Sequence, residues 1–544
     1  MNQQFLRSII AAAFISTVAG ADDTLMQRFD KMEREMNALK TELASIKAEK
    51  LAPVVTKKAV VEAEENDEKP VKVATAKDDD KKSVTEDLEE IHDQLTTLNK
   101  RTNGNAIKWD VDFRTSVDNL NYKMVSDNIR GAGATPAKYS GKSQRNDALF
   151  SNRLWLGMNY AATKNLSFTG QLAYNKIFGQ RSVSPDNPHS PDGFDWVSSE
   201  SAYNDTLRVR SAYFFYNNNE FLGLNIPWTF SVGRRPSTEG HLINLRDDVA
   251  ASSPLAHTVN VEFDGASAKF GMEGVTGLNG SYFKLCAGRG MTNAEPRFNS
   301  APYAISHDTT NSVDMAGLIL VPYDDKQYST GFQYTYANNM IDTVNSPFNP
   351  ATGNYLSSGY DSSFTSVGGL HTATAFAMVN GIGEGWSNYL DDTTLFISGA
   401  MSRTNPYAGQ GMLGSHDSQT GYSYWIGTQM PSLISDEGKW GLEFNHGSKY
   451  WRPITYAEDT LIGSKIAARG DAYEVYFTEP LVDDILTFQL RYTYINYNYT
   501  GSNGFFGSSS GTPMAISDVP SGTDMGASAV SKAQDIRAYI RYKF

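Results

Sequence analysis

Residues 535–544, at the carboxyl end of the chain, alternate in polarity from one position to the next. Every second side chain is apolar or aromatic (Ile536, Ala538, Ile540, Tyr542 and Phe544), and most of the intervening ones are charged. A strand between lipid and water needs this alternation, and a closing strand with a terminal aromatic residue is typical of outer-membrane β-barrels. An amphipathic strand of a soluble sheet is the alternative. We predict that Ile536, Ile540, Tyr542 and Phe544 form the lipid-facing side of a barrel-closing strand.

The amino end of the chain has the features of a secretory signal peptide. Arg7 supplies a positive charge, residues 8–18 form a short apolar core, and the small residues 19–21 form a cleavage site. The apolar core is too short to cross a bilayer as a helix. We therefore predict a signal peptide at 1–21, a mature protein that begins at Asp22, and a location in the Gram-negative outer membrane.

Composition limits the classes of function. The chain contains 29 Tyr and 27 Phe, as the aromatic girdles of a membrane barrel require. The single Cys286 excludes an intramolecular disulfide and a cysteine-cluster metal site. The net charge of −13 argues against nucleic-acid binding. Because the sequence also lacks phosphate-binding, metalloprotease, nucleophile-elbow and haem-attachment motifs, we predict no cofactor, no metal and no nucleic-acid partner.

A heptad repeat precedes the predicted barrel and indicates a periplasmic helical segment. Its apolar positions recur at alternating spacings of four and three residues: Leu25, Phe29, Met32, Met36, Leu39, Leu43 and Ile46. This pattern predicts a coiled coil over 22–50, with a lone amphipathic helix as the alternative. Residues 51–82 are rich in charge and predict a disordered linker. A capping box from Ser83 to Glu86 begins a short second helix over 83–103.

From residue 104 to the end, the hydrophobic period changes to two. We predict an all-β domain, an antiparallel transmembrane β-barrel of about 16 strands. The predicted strands are 107–117, 154–160, 166–174, 206–216, 228–235, 259–270, 282–289, 314–321, 327–337, 369–379, 394–403, 421–430, 439–446, 472–478, 486–494 and 534–544. Short and long connections alternate, as a barrel with both ends in the periplasm requires. In the sixth predicted strand, the apolar side chains expected to face outward shift from odd-numbered to even-numbered positions near Gly265. Such a shift predicts a β-bulge.

One run of the sequence is unusually specific, and it reads KWGLEFNHGSKYWRP from Lys439 to Pro453. Further runs are GRRPST at 233–238, YFKLC at 282–286, EDTLIGSK at 458–465, ARGDAY at 468–473 and YTGSNGFF at 499–506. Together these runs resemble a porin-like outer-membrane family of unknown function, over most of residues 106–544. The resemblance implies a periplasmic helical stretch followed by a porin-like barrel. It brings no assigned substrate and no catalytic residue.

The third outer connection, predicted at 236–257, is the expected constriction. In general diffusion porins, which the chain resembles in architecture, this connection folds inward and narrows the pore. Here it follows Gly233, whose lack of a side chain permits a sharp departure from the wall. The connection carries acidic side chains at Glu239, Asp247 and Asp248.

The arginines on the neighbouring strands form the opposite side of the predicted constriction. By strand parity the lumen-facing set is Arg114, Arg153, Arg208, Arg210, Arg235, Arg491, Arg537 and Arg541. A basic wall opposite an acidic connection would set up a transverse field that tunes ion preference. In the alternative interpretation, these arginines only hydrate a wide lumen and pair with Asp110, Asp112 and Asp535.

These features predict a porin-like channel for passive diffusion of small hydrophilic solutes or ions, and not an enzyme. One alternative is a barrel plugged by its own connections that serves as a cell-wall anchor or as a sheath for a partner. The other is a barrel hydrolase that uses Asn445, His446 and Ser448. Adjacent strand residues point to opposite faces, which disfavours the hydrolase.

The expected partners follow from the same features. Outer-membrane lipid would surround the barrel, and the barrel-assembly machinery would recognise the carboxyl-terminal strand. The coiled coil predicts either a homotrimer or a contact with the cell wall, made by an amino-terminal segment in the periplasm.

Overall fold

The computed structural model describes residues 107–126, 143–178, 207–291, 294–296, 304–306, 312–343, 348–349, 354–355, 364–383, 385–455, 458–501, 512–521, 526 and 529–544. The predicted signal peptide (1–21), coiled coil (22–50), linker (51–82) and second helix (83–103) lie outside the described residues.

Sixteen antiparallel strands form a closed barrel, and each strand pairs with its neighbours in the chain. The strands are β1 (Lys108–Met124), β2 (Ser143–Ala161), β3 (Leu166–Ile177), β4 (Arg208–Asn218), β5 (Trp228–Ser237), β6 (Val261–Gly271), β7 (Tyr282–Met291), β8 (Val313–Asp324), β9 (Tyr328–Thr343), β10 (Phe364–Asn380), β11 (Thr394–Pro406), β12 (Thr420–Pro431), β13 (Lys439–Gly447), β14 (Gly470–Val482), β15 (Leu486–Tyr497) and β16 (Val530–Lys543). The predicted all-β barrel and its strand number are confirmed.

Pairing of β1 with β16 closes the barrel. Val117 lies opposite Ala538 in the continuous part of this register, and Val111 and Phe544 exchange both of their backbone hydrogen bonds at 2.9 Å. Of the predicted outward side chains of β16, Ile536, Tyr542 and Phe544 are exposed and Ile540 is half-buried. On the other face of β16, Arg537 and Arg541 are buried inside the barrel.

The outer face of the barrel is apolar, because alternate side chains of the strands point away from the lumen. Exposed large side chains include Phe113, Phe214, Leu285, Leu318, Phe332, Ile397, Leu442 and Leu490. At the end with the short connections, aromatic rings of β4–β7 pack together. The ring centroid of Phe270 lies 4.9 Å from those of Phe221 and Phe283, and the ring centroids of Tyr216 and Trp228 are 5.4 Å apart. An apolar band with an aromatic girdle is typical of membrane barrels.

In the part of the chain that the structure describes, the helices are short. They are α1 (Ile243–Asp247), α2 (Glu273–Thr276) and α3 (Asn388–Asp391), with 3₁₀ turns at Lys465–Ala467 and Ile516–Asp518. Within the described ranges, none of the helices has the length and apolar character needed to cross a bilayer. Two small ladders stand apart from the barrel: Ala294–Pro296 pairs with Ala304–Ser306, and Phe348–Asn349 pairs with Asn354–Tyr355.

The β-bulge predicted near Gly265 is wrong. β6 pairs with β5 and with β7 without a shift of register through Gly265. The apolar side chains that suggested a change of parity, Val261 and Phe263, point into the barrel and pack in a buried apolar cluster. The reason is that the interior is not uniformly aqueous here, so an apolar side chain can face it without a bulge.

Two long connections lie inside the barrel and account for its apolar interior. We call the connection between β5 and β6 loop L3 (238–260) and the connection between β13 and β14 loop L7 (448–469). The backbones of the two loops hydrogen-bond to each other, from Asn260 N–H to the Ile454 carbonyl (2.8 Å) and from Ile454 N–H to the Thr258 carbonyl (2.9 Å). L3 packs Leu242 and Leu255 in one buried cluster with wall residues such as Phe376, Phe396 and Trp425.

Candidate site: the charged interior of the barrel

Loop L3 crosses the interior from β5 and β6 to the opposite wall, where polar side chains hold the end of α1. The last carbonyls of a helix lack intrahelical partners, and here three of them accept from wall side chains. Gln429 of β12 donates to the Leu245 carbonyl (2.8 Å), Gln489 of β15 to the Arg246 carbonyl (2.8 Å), and Arg541 of β16 to the Asp247 carbonyl (2.7 Å). L3 is therefore fixed at its far end by three strands.

A buried histidine fixes the second half of L3. The two ring nitrogens of His257 lie 2.7 Å from Ser398 Oγ and 2.8 Å from Ser423 Oγ. The ring is enclosed by Trp425 and Trp451, both with centroids 5.7 Å away. Burial lowers the pKa of His257 to about 3, so the ring is neutral at neutral pH.

Loop L7 places one carboxylate among four arginines of the wall. Asp459 accepts from Arg114, with one bond at 2.9 Å and a second shorter one, and from Arg153 at 2.7 Å. Its backbone carbonyl accepts from Arg537 (2.9 Å) and Arg491 (3.3 Å). Burial alone would raise the pKa of Asp459, but the charges of Arg114 and Arg153 outweigh burial and hold that pKa well below its usual range.

The wall supplies two further carboxylates to the same arginines. Asp112 accepts from Arg153 (3.1 Å) and from Arg541 (2.9 Å and 2.5 Å). Asp118 accepts from Arg537. The pair of Arg541 and Asp112 is bidentate, so the fork of the guanidinium and the two oxygens of the carboxylate satisfy each other.

A second charged cluster joins L3, L7 and strands β13–β15. Lys465 of L7 donates to Glu443 (2.6 Å) and to Glu474. Arg246 of L3 donates to Glu458 of L7 (2.6 Å) and lies 3.6 Å from Glu474. Because a buried charge is tolerated only with a partner, these contacts tie the two loops to each other and to the wall.

The remaining arginines of the predicted set are distributed around β4 and β5. Arg210 is buried over the ring of Trp155 and lies 3.1 Å from Glu262 and 3.5 Å from Glu239. Arg235 bonds to Ser231 and lies over the ring of Tyr213. Arg208 begins β4, opposite Ala173, and is half-buried.

The acidic residues of L3 are not gathered on one side of an aqueous gap. Glu239 lies beside Arg210, Asp247 is held by its neighbour Arg246 (2.9 Å), and Asp248 pairs with Lys439 of β13 (2.8 Å). Each acidic residue therefore contacts a different cation.

Several residues that build this interior were not singled out from the sequence, above all Asp459. Asp459 belongs to L7, together with Glu458 and Lys465. Two features of the sequence could have indicated its role: the length of that connection and the two adjacent acidic residues within it. Arg452 was also missed, although it contacts Asp342 (3.2 Å) and the Ile341 carbonyl (2.6 Å).

Two cavities border the charged interior. The inner one has a volume of about 20 Å³, and its lining includes Arg114, Arg153, Arg246, Asp459 and Arg541; this is room for about one water molecule. The second, of about 570 Å³, lies at the end with the short connections, and Asp248, Lys439 and Lys543 contribute to its lining. Arg541 lines both cavities.

The residues of the hydrolase alternative do not all lie on one face of the barrel wall. Asn445 is buried in the interior, where it donates to the Lys465 carbonyl (3.0 Å), while His446 contacts Asp471 (2.7 Å) and stacks on Tyr424. The Ser448 hydroxyl accepts from the Tyr422 amide (2.8 Å). Within the part of the chain that the structure describes, no group of three or more His, Cys, Asp or Glu side chains is placed to hold a metal ion.

The barrel is similar to several solved structures of low sequence identity. OmpF of Salmonella typhi, in complex with daunomycin, is 10% identical, covers 81% of this chain and 99% of its own, and has a TM-score of 0.39. An anion-selective porin from Comamonas acidovorans is 10% identical at the same coverage, with a TM-score of 0.41. OprB of Pseudomonas putida is 11% identical, covers 82% of this chain and 96% of its own, and has a TM-score of 0.40. Likenesses this distant carry no conclusion about function.

No curated protein matches the chain. A family model described as "Protein of unknown function (DUF3373)" matches residues 143–544, which include every barrel strand except β1. The chain therefore belongs to the DUF3373 family.

Proposed function

We propose that the chain is a porin-like channel of the Gram-negative outer membrane, through which small hydrophilic solutes or ions diffuse passively. The observation that supports this proposal is the continuity of charge along the interior. Arg541 lines both the cavity at the short-connection end and the inner cavity between L3, L7 and the wall. Charged groups that line a low-dielectric passage attract ions and small polar solutes.

The charged side chains around Asp459 gather on one side of the lumen. Two buried apolar clusters seal L3 and L7 against strands β6 and β8–β12, and a third packs L7 against β1, β14, β15 and β16. The arginines that contact Asp459 lie on β1, β2, β15 and β16. Water and ions are stabilised beside charge and not beside buried apolar side chains, so the charged part of the route of permeation follows β1, β2, β15 and β16.

Single-channel conductance tests the proposal. Refolded protein of residues 22–544 is placed in a planar bilayer, and steps of current and the reversal potential across a potassium chloride gradient are recorded. We expect small, steady steps, because the inner cavity has a volume of only about 20 Å³. The sign of the reversal potential reports whether the arginines or the carboxylates dominate selectivity.

Absence of conductance from protein whose strand content is verified by circular dichroism would contradict the channel. It would support instead a barrel plugged by L3 and L7 that serves as a cell-wall anchor or as a sheath for a partner. We propose no hydrolytic role, and the matching test is lipid release by the wild type and by His446→Ala. Release that depends on His446 would support the hydrolase.

A further inference from the structure

Arg114 depends on a carboxylate that does not belong to the wall. Within the described ranges its one ion-pair partner is Asp459 of L7, 345 positions away in the chain, and its Nε has no hydrogen-bond partner. The neighbouring arginines differ, because Arg153 and Arg537 also contact the strand carboxylates Asp112 and Asp118. L7 therefore completes a wall that would otherwise present an uncompensated cation.

The cluster of Arg114, Arg153, Arg491 and Arg537 converges on a single aspartate. The carboxylate oxygens of Asp459 accept from two of these arginines, and its carbonyl accepts from the other two. A convergence of guanidinium forks suits a planar carboxylate.

Contacts other than Asp459 hold two of these guanidinium groups in place. The guanidinium of Arg153 lies 3.5 Å from the ring centroid of Trp155, and that of Arg114 lies 5.3 Å from the ring centroid of Tyr539. Stacking on aromatic rings fixes the plane of an arginine. The arrangement of donors would therefore persist if Asp459 moved away.

We propose that this arginine cluster binds the carboxylate group of a small organic anion, and that Asp459 is a tethered occupant which such a solute displaces. The inference rests on the proposed channel function and names its class of solute. Exchange of one carboxylate for another conserves charge and hydrogen bonds at the cluster. A neutral solute or a cation that displaced Asp459 would leave Arg114 buried without a counter-ion, which is strongly unfavourable.

Chemical rescue with acetate tests the proposal, because acetate carries the same group as the aspartate side chain. The thermal unfolding midpoint of mature Asp459→Ala is measured in sodium acetate and in sodium chloride of equal concentration. We expect the variant to unfold at a lower temperature than the wild type, and acetate to raise its midpoint with increasing concentration. A ligand that binds only the folded state stabilises it in this way.

Asp342→Ala is the matched control. Asp342 is buried, and it also pairs a wall strand with an arginine of L7, Arg452, whereas Asp459 draws together four guanidinium groups. We expect acetate to restore the Asp459→Ala midpoint and to leave that of Asp342→Ala unchanged relative to chloride. Equal responses of the two variants, or no response of Asp459→Ala, would overturn the proposal.

Two further measurements keep the outcome decisive. If Asp459→Ala does not fold, Asp459→Ser replaces it, because the serine hydroxyl keeps a hydrogen-bond acceptor, removes the charge and is small enough to leave room for acetate. Conductance of the same samples separates this inference from the channel itself. Rescue without conductance would support the anion site and contradict the channel, while conductance without rescue would support the channel and contradict the anion site.

Discussion

At the scale of single residues, ion pairs between side chains that are far apart in the sequence organise the interior of the barrel. Arg246 pairs with Glu458, which is 212 positions away in the sequence, and Arg114 pairs with Asp459, which is 345 positions away. Removal of one partner from such a pair costs about 3–5 kcal/mol, because the other charge is left buried. Strand parity is a local property, so the sequence could indicate that Arg114 and Arg537 face inward. It could not indicate their partners, which depend on the path of L7.

His257 should make the stability of the protein depend on pH between about 3 and 6.5. Its folded-state pKa is about 3, against about 6.5 when unfolded. A lowered histidine pKa gives stability that is complete above pH 6.5 and is lost as pH falls toward 3. Between pH 7 and 4.5 we expect this single group to cost about 2–3 kcal/mol. The measurement is the urea midpoint of unfolding by tryptophan fluorescence.

His257→Asn is the control for this pH dependence. The amide keeps hydrogen-bonding capacity toward Ser398 and Ser423 but does not titrate. Its urea midpoint should be lower than that of the wild type at pH 7, and it should change less between pH 7 and 4.5. The titration of His257 would not be the cause if both proteins showed the same pH dependence.

At the scale of elements, L7 approaches β12 so closely that one strand position has no room for a side chain. A Cβ at Gly421 would overlap the backbone of Tyr450 and Trp451. Backbone cannot move aside as the end of a flexible side chain can. The glycine is therefore needed for L7 to enter the barrel beside β12.

Gly421→Ala should displace the start of L7 and loosen the interior. Overpacking of this kind typically costs about 1–3 kcal/mol, so we expect a lower urea midpoint together with larger conductance steps. Gly399→Ala is the matched control, since Gly399 lies on the adjacent strand β11 with open space around its Cβ position. If the two alanine variants had equal stability and equal conductance, the contact between L7 and β12 would not restrain the loop.

At the scale of the whole molecule, the architecture was predictable because the sequence encodes it twice. Alternating polarity marks each strand, and alternating lengths of connection mark the two ends of the barrel. The predicted bulge at Gly265 failed for the same reason that Asp459 was missed. Both depend on loops that enter the lumen, and apolar packing of L3 and L7 against β6 turns part of the barrel interior into a protein core.

Closure of the barrel by its two terminal strands gives the last prediction. Val117 of β1 lies opposite Ala538 of β16, and paired residues of antiparallel strands have Cα atoms about 4.5–5.5 Å apart. This separation falls within the range of disulfides. In a Cys286→Ser background, Val117→Cys with Ala538→Cys should therefore form a disulfide on mild oxidation. On a denaturing gel without reductant, the cross-linked chain should migrate differently from the reduced one.

In the control, the cysteine of β16 is placed two residues away, at Ile536→Cys instead of Ala538→Cys. The two cysteines are then diagonal neighbours about 7–8 Å apart, which exceeds the distance that a disulfide spans. Cross-linking should then fall sharply. Equal yields from both pairs would mean that β1 and β16 are not held in the observed register. Because both side chains of the matched pair are on the outer face, the cross-linked barrel should keep the conductance of the reduced one. Loss of conductance on cross-linking would mean that permeation needs the two strands to separate, and not only the movement of Asp459 within L7.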